Sequence, residues 1–260
     1  MIIGGGLAAI VFCAWAYLVH TKASGMAGMP GMAGMAGMNM PGMDMPGMVM
    51  PDLEKWGMGT AALVFVMWTV MMVAMMVPSA TPMMLAFVTV NERRRAAARP
   101  LVPVGFFLLG YLTVWTGYSA AATVAQWGLH QAALLSSAMA TTSTGLNGGL
   151  LIAAGVFQWT PLKRACLKGC RSPLSFLMGK WREGIGGAFV MGLRHGSYCV
   201  GCCWVLMALL FVVGVMNLFW VGVMALFMIG EKIMAKGELL GRLAGVALVI
   251  GGVVVITRHW

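Results

Sequence analysis

The sequence predicts an all-α fold, a polytopic bundle of transmembrane helices with about seven spans, or six if the first is a cleaved signal. Three observations lead there. Only 9% of the residues are charged, whereas soluble domains carry roughly a quarter. Hydrophobic residues make up 60% of the chain, and its mean hydropathy is +0.88. Apolar runs of about 20 residues, the length that crosses a bilayer as a helix, recur along it. A soluble core could not absorb that surface, since a domain of this size still exposes much of what it carries. None of the runs alternates as the strands of a membrane barrel would.

The first run, Ile2 to Val19, has no Lys or Arg before it and is long for a signal peptide, which favours a retained span. The second, Gly59 to Val90, holds 32 residues. At about 1.5 Å per residue it overshoots a hydrocarbon core of about 30 Å. Pro78 and Pro82 are therefore expected to kink or break it near its inner end. Further runs cover Leu101 to Trp127, Gly148 to Trp159, a span within Gly184 to Leu218, Phe219 to Ile229, and Leu243 to Ile256. An interfacial segment ending near Gly196 is expected ahead of the fifth span. The chain thus divides into a first span (1–19), a Met/Gly/Pro-rich loop (20–58) and a multi-span domain (59–257).

The net charge of +10 is a topology signal, not a nucleic-acid signal. Fourteen of the 17 Lys and Arg fall on one side of these spans, leaving Lys22, Lys55 and Arg258 on the other. The positive-inside rule makes the crowded side cytoplasmic. The 20–58 loop then lies on the periplasmic or outer side of a bacterial inner membrane.

That loop is unlike the rest of the chain. Met26, Met29, Met32, Met35 and Met38 recur at every third position, then Met40, Met43, Met45, Met48 and Met50 follow between Pro-Gly steps. This makes ten methionines in 25 residues, too biased to build a core. Thioethers are soft and uncharged, so they select copper(I) over harder ions and still bind where thiolates and imidazoles are protonated. Leu, Ile or Val would serve equally well as filler, and outside the cytoplasm methionine is the worse filler because it oxidises. The bland alternative is a tether with incidental methionines.

Within the second span, Met67, Met71 and Met75 share one helix face and Met72 and Met76 occupy the adjoining stripe. Such a column of thioethers is a route for copper(I) across a membrane. It is equally the ordinary packing of methionine in apolar helices. Five of the six cysteines lie in the second half. Cys166 and Cys170 sit in a basic loop. His195, Cys199, Cys202 and Cys203 fall on one helix face, which suits copper(I) or zinc. Cys199 and Cys202 also match a redox motif, and buried cysteines frequently only pack. Cys13, alone in the first span, takes the packing reading.

The pattern Trp68-x-x-Met71-x-x-Ala74-Met75-Met76-x-Pro78, then Cys166-x-x-x-Cys170, then Cys199-x-Gly201-Cys202-Cys203-Trp204-x-Leu206-Met207, resembles a bacterial family of predicted metal-binding integral membrane proteins of unknown function. The resemblance covers about residues 59–257 and implies a metal without a mechanism. The Met-rich loop is unusual for that family and independently favours copper. The resulting expectation is a non-enzymatic copper(I)-binding membrane protein of copper acquisition, transfer or homeostasis. Its partners would be the lipid bilayer and a copper-dependent membrane enzyme or a periplasmic copper protein. Two alternatives stay open: a membrane thiol-disulfide oxidoreductase using the cysteine pairs, and a structural subunit of a membrane complex.

Overall fold

A computed structural model of the chain describes residues 2–27, 57–96, 102–135, 141–215 and 217–258. Among them every regular element is a helix: α1 (Ile2–Ala27), α2 (Met58–Ala96), α3 (Val104–Gln131), α4 (Thr144–Phe157), α5 (Pro161–Arg171), α6 (Pro173–Lys180), α7 (Gly184–Ala208), α8 (Leu210–Val213), α9 (Leu218–Ile233) and α10 (Gly237–Thr257). Helices α1, α2, α3 and α10, together with α7 continued by α8, are long and apolar enough to cross a membrane. With 14 and 16 residues, α4 and α9 are shorter. They reach about 21 and 24 Å, less than a hydrocarbon core of about 30 Å.

The helical bundle agrees with the expected fold class, but several boundaries differ. Helix α1 runs on to Ala27, beyond the expected end at Val19. Helix α2 passes through both prolines without a break. Each proline costs one backbone bond. Nearby hydroxyls hold the same stretch of backbone: Ser79 donates to the Met76 carbonyl at 2.8 Å and Thr81 to the Val77 carbonyl at 3.1 Å. No interface segment ends at Gly196, because α7 is continuous from Gly184. The amphipathic piece is instead α5, and both α5 and the short α6 after it start with a proline in the first turn, where a missing N–H costs nothing. The Thr160 hydroxyl caps α5 by accepting from the Lys163 amide at 3.2 Å.

Helix α2 is the central element, packed against α1, α3, α6 and α9. Apart from Met58 at its start, its methionines face inward, with Met71, Met72, Met75, Met76, Met83 and Met84 all buried. Helices α3 and α7 touch backbone to backbone. A Cβ on Gly192 would overlap the Phe107 carbonyl, and one on Gly110 would overlap that of Phe189. Small residues at such crossings let membrane helices gain dispersion contacts where no hydrophobic force drives them together. The α3–α7 seam therefore fixes the rotation of α7, and with it the direction in which the cysteines point.

Replacing Gly192→Ala should lower stability to thermal unfolding in detergent by about 1–3 kcal/mol through overpacking. Gly117→Ala, on the open side of α3, should leave it unchanged or raise it by up to about 1 kcal/mol. Equal stability of the two variants would contradict the close α3–α7 seam.

Candidate metal centre

Cysteines at i, i+3 and i+4 on one helix share a face, and on α7 that face turns into the bundle. Cys199, Cys202 and Cys203 are all at most 1% exposed. The thiols of Cys202 and Cys203 donate back to the Cys199 carbonyl at 3.0 and 2.9 Å. Cys199 is left facing its neighbours. Its sulfur lies 3.0 Å from Lys232 Nζ of α9 and 3.2 Å from the Tyr111 hydroxyl of α3.

Both of these groups also reach α2. Lys232 Nζ donates to Ser79 Oγ at 2.8 Å, and the Tyr111 hydroxyl lies 3.1 Å from the Met76 carbonyl. One lysine and one tyrosine therefore bind the methionine helix and the cysteine helix to the same sulfur. On α2 these bridges end on the Met76 backbone carbonyl and the Ser79 hydroxyl.

From α5, Cys170 points toward the same place. The neighbouring thiols of Cys199 and Cys202, and then burial, push its pKa well up. Cys166, one turn earlier, stands against Gly201, where a Cβ would come within 2.7 Å of its sulfur. Burial pushes the Cys166 thiol up as well. His195 is buried one turn before Cys199 among the rings of Phe107, Tyr111 and Phe176, at 5.6–6.0 Å between centroids, and its Nδ1 has no hydrogen-bond partner. All six cysteines are free.

The structure thus brings together Cys170, Cys199, Cys202 and Cys203, with the backbone carbonyl of Met76 held through Tyr111. Met71, Met72 and Met75 share its helix and its burial. Cys166 stands at the edge and His195 in an aromatic box. Met29 to Met50 lie outside the described residues, and of Met26 only the backbone, in the last turn of α1, is described. Among the described residues, no three His, Cys, Asp or Glu side chains are arranged to hold an ion. The hydrogen bonds give the physical reason. The place beside Cys199 Sγ holds an ammonium, and two of the other thiols are turned onto a carbonyl.

A second buried polar group borders this centre. Lys163 Nζ of α5 lies 2.5 Å from Glu231 Oε1 of α9, both side chains 2% exposed, and also donates to the Gln158 side chain. Glu231 and Lys232, adjacent in sequence, read as an interfacial ion pair with each other. They point to different partners, Lys163 and Cys199. Sequence reasoning also passed over Tyr111 and Ser79 as site residues. The available signal was ionisable residues at the end of an apolar run, which in membranes are usually paired or functional.

The family model PpoB2, described as a copper chaperone, matches residues 65–255. The chain belongs to that family. No curated protein and no solved structure matches it. The copper chaperone match spans α3 to α9 whole and most of α2 and α10, so it contains every thiol of the centre and the α2 methionines from Met67 onward. It agrees with the metal-related family expected over residues 59–257 and replaces the unknown function of that expectation with copper. Residues 26–50 fall outside the match.

In this member of the copper chaperone family, Glu231→Gln should leave the Lys163 ammonium buried without its counter-charge and lower stability by about 3–5 kcal/mol. The Lys163→Met/Glu231→Leu double variant should recover most of that loss in a thermal melt. A single variant as stable as wild type would contradict the buried pair.

Proposed function

We propose that this chain is an integral membrane copper(I) chaperone that holds its cargo with sulfur, on thiols of α5 and α7 next to the thioethers of α2. The observation that carries this reading is the double bridge at Cys199. Lys232 and Tyr111 each span from its sulfur to the Met76–Ser79 stretch of α2. Thiols and thioethers are the donors that favour a soft monovalent ion. Zinc asks for four nitrogen or sulfur donors in a tetrahedral cage, whereas copper(I) is satisfied by two or three sulfurs. Copper(I) is therefore the cargo we propose.

The charge bias of the loops supports a position for the Met-rich segment, residues 26–50, on the outer face of a bacterial inner membrane. There it would gather the ion and pass it to α2 and the buried thiols. The sequence carries no phosphate-binding loop, and membership in a copper chaperone family fits delivery rather than turnover. The recipient is a copper-dependent membrane enzyme or a periplasmic copper protein.

The test is Cu(I) retention by the purified full-length protein against a colorimetric Cu(I) chelator. Wild type should retain copper. Deletion of residues 26–50 should lower the amount bound, and Cys199→Ser/Cys202→Ser/Cys203→Ser should lower it by a separate increment. A wild-type protein that retains no copper, or variants that retain as much as wild type, would overturn the reading. A disulfide between Cys170 and Cys199 trapped during turnover would point to thiol oxidoreduction instead.

A further inference from the structure

Two open hollows lie side by side where α5 and α6 pack against α7. One, of about 530 Å³, is lined by Lys180, Val190, Leu193, Arg194, Ser197 and Tyr198. The other, of about 270 Å³, shares Lys180 and Tyr198 and adds Lys168 of α5 and Ser175 of α6. Three cations border them, Lys168, Lys180 and Arg194, and no carboxylate does. Glu183, three residues after Lys180, is paired with Arg94, and the buried Glu231 with Lys163. Among the described residues, none of the three cations has an ion pair with a carboxylate. Like charges gathered in a concave surface draw an anion. Tyr198, common to both hollows, is held in place. Its ring meets Phe176 edge to face at 6.2 Å, and a Cβ on Gly169 would come within 3.0 Å of it.

The depth of the hollows says which anion. Helix α7 continued by α8 runs for 30 residues, Gly184–Val213, about 15 Å more than a hydrocarbon core requires. Arg194 to Val213 is 20 residues, the length that crosses that core. Arg194 therefore stands where the hydrocarbon ends, and Gly184 to Leu193 at the level of the lipid headgroups. The flanking pieces fit that level. Helix α5 is amphipathic, and Leu162, Leu174, Met178 and Ile185 are exposed around the cations. Apolar and basic side chains alternate in this way on segments that lie in a membrane interface. A soluble acidic partner would account for the cations but not for these apolar neighbours. A lipid accounts for both.

We propose that the two hollows form one site for an anionic phospholipid that carries two linked phosphates. Lys180 lies between the phosphates, Arg194 takes one and Lys168 the other, and Tyr198 adds a phenol donor. Two adjoining hollows that share one cation offer two phosphate positions, of which a single-phosphate headgroup fills only one. The guanidinium fork suits phosphate oxygens, and basic pockets between membrane helices take headgroups of this kind. Bound there, the lipid ties α5 and α6 to α7 by ionic contacts. The proposal is independent of the copper reading, since none of its residues is a thiol or a thioether.

The experiment titrates delipidated full-length protein in detergent with defined lipids and counts bound lipid by native mass spectrometry. Wild type should retain one cardiolipin, hold phosphatidylglycerol more weakly and retain no phosphatidylcholine. Inorganic phosphate at millimolar concentration should not displace the cardiolipin. Lys180→Gln/Arg194→Gln should weaken cardiolipin binding by about 25-fold, about 5-fold for each basic residue removed beside an anionic lipid. Lys168→Gln alone should weaken it by about 5-fold. Lys236→Gln/Arg242→Gln, which removes as much charge from exposed positions outside the hollows, should bind as wild type does. Phosphatidylglycerol held as tightly as cardiolipin, displacement by inorganic phosphate, or equal losses in the two double variants would overturn the two-phosphate lipid site. If Lys180→Gln/Arg194→Gln does not fold, undiminished binding by Lys168→Gln would overturn it as well. A wild type that retains no anionic lipid would overturn it in favour of an acidic protein partner.

Discussion

A lysine ammonium resting on a cysteine sulfur, both buried between helices, is the contact around which this bundle is arranged. Lys232 comes from α9, Cys199 from α7 and Ser79 from α2, and one ammonium holds all three together. In such surroundings a polar group is either partnered or very expensive, so these helices cannot slide or rotate independently. The neighbouring Lys163–Glu231 pair does the same for α5 against α9. Burying ions is a poor way to gain stability, since well-packed apolar side chains of equal volume do as well or better. Two such groups on adjacent residues of one short helix are better explained by what they do to the chemistry beside them.

Packing and chemistry meet in α7. Its contact with α3 depends on glycines whose absent side chains let the two backbones touch, and this close seam sets the rotation that brings Cys199 against Tyr111. Gly201 serves the other side of α7, giving Cys166 of α5 room to approach. A helix with larger residues at these positions would hold its thiols farther from α3, α5 and α9. The metal centre is therefore a consequence of small residues as much as of sulfur.

Much of this was legible in the sequence. Helical class followed from the length and number of apolar runs, and the inward face of α7 followed from the spacing of His195, Cys199, Cys202 and Cys203. The methionines of α2 were legible as a stripe, though not as buried, because methionine serves lipid-facing and core positions equally. Other features were not legible. Pro78 and Pro82 read as a kink or a break, and α2 continues unbroken through them, because hydroxyls nearby and neighbouring helices support that stretch. The partners of Glu231 and Lys232 were not legible either, since neighbours in a helix point about 100° apart and here meet different helices. That Cys170 joins the α7 thiols depends on how α5 folds back, which no local pattern encodes.

A structure of the copper-loaded protein, with anomalous scattering recorded at the copper edge, tests the central claim most directly. The account predicts a peak inside the bundle, among the thiols of α5 and α7 and next to α2. A peak confined to residues 26–50, with the thiols of α5 and α7 unchanged, would contradict it.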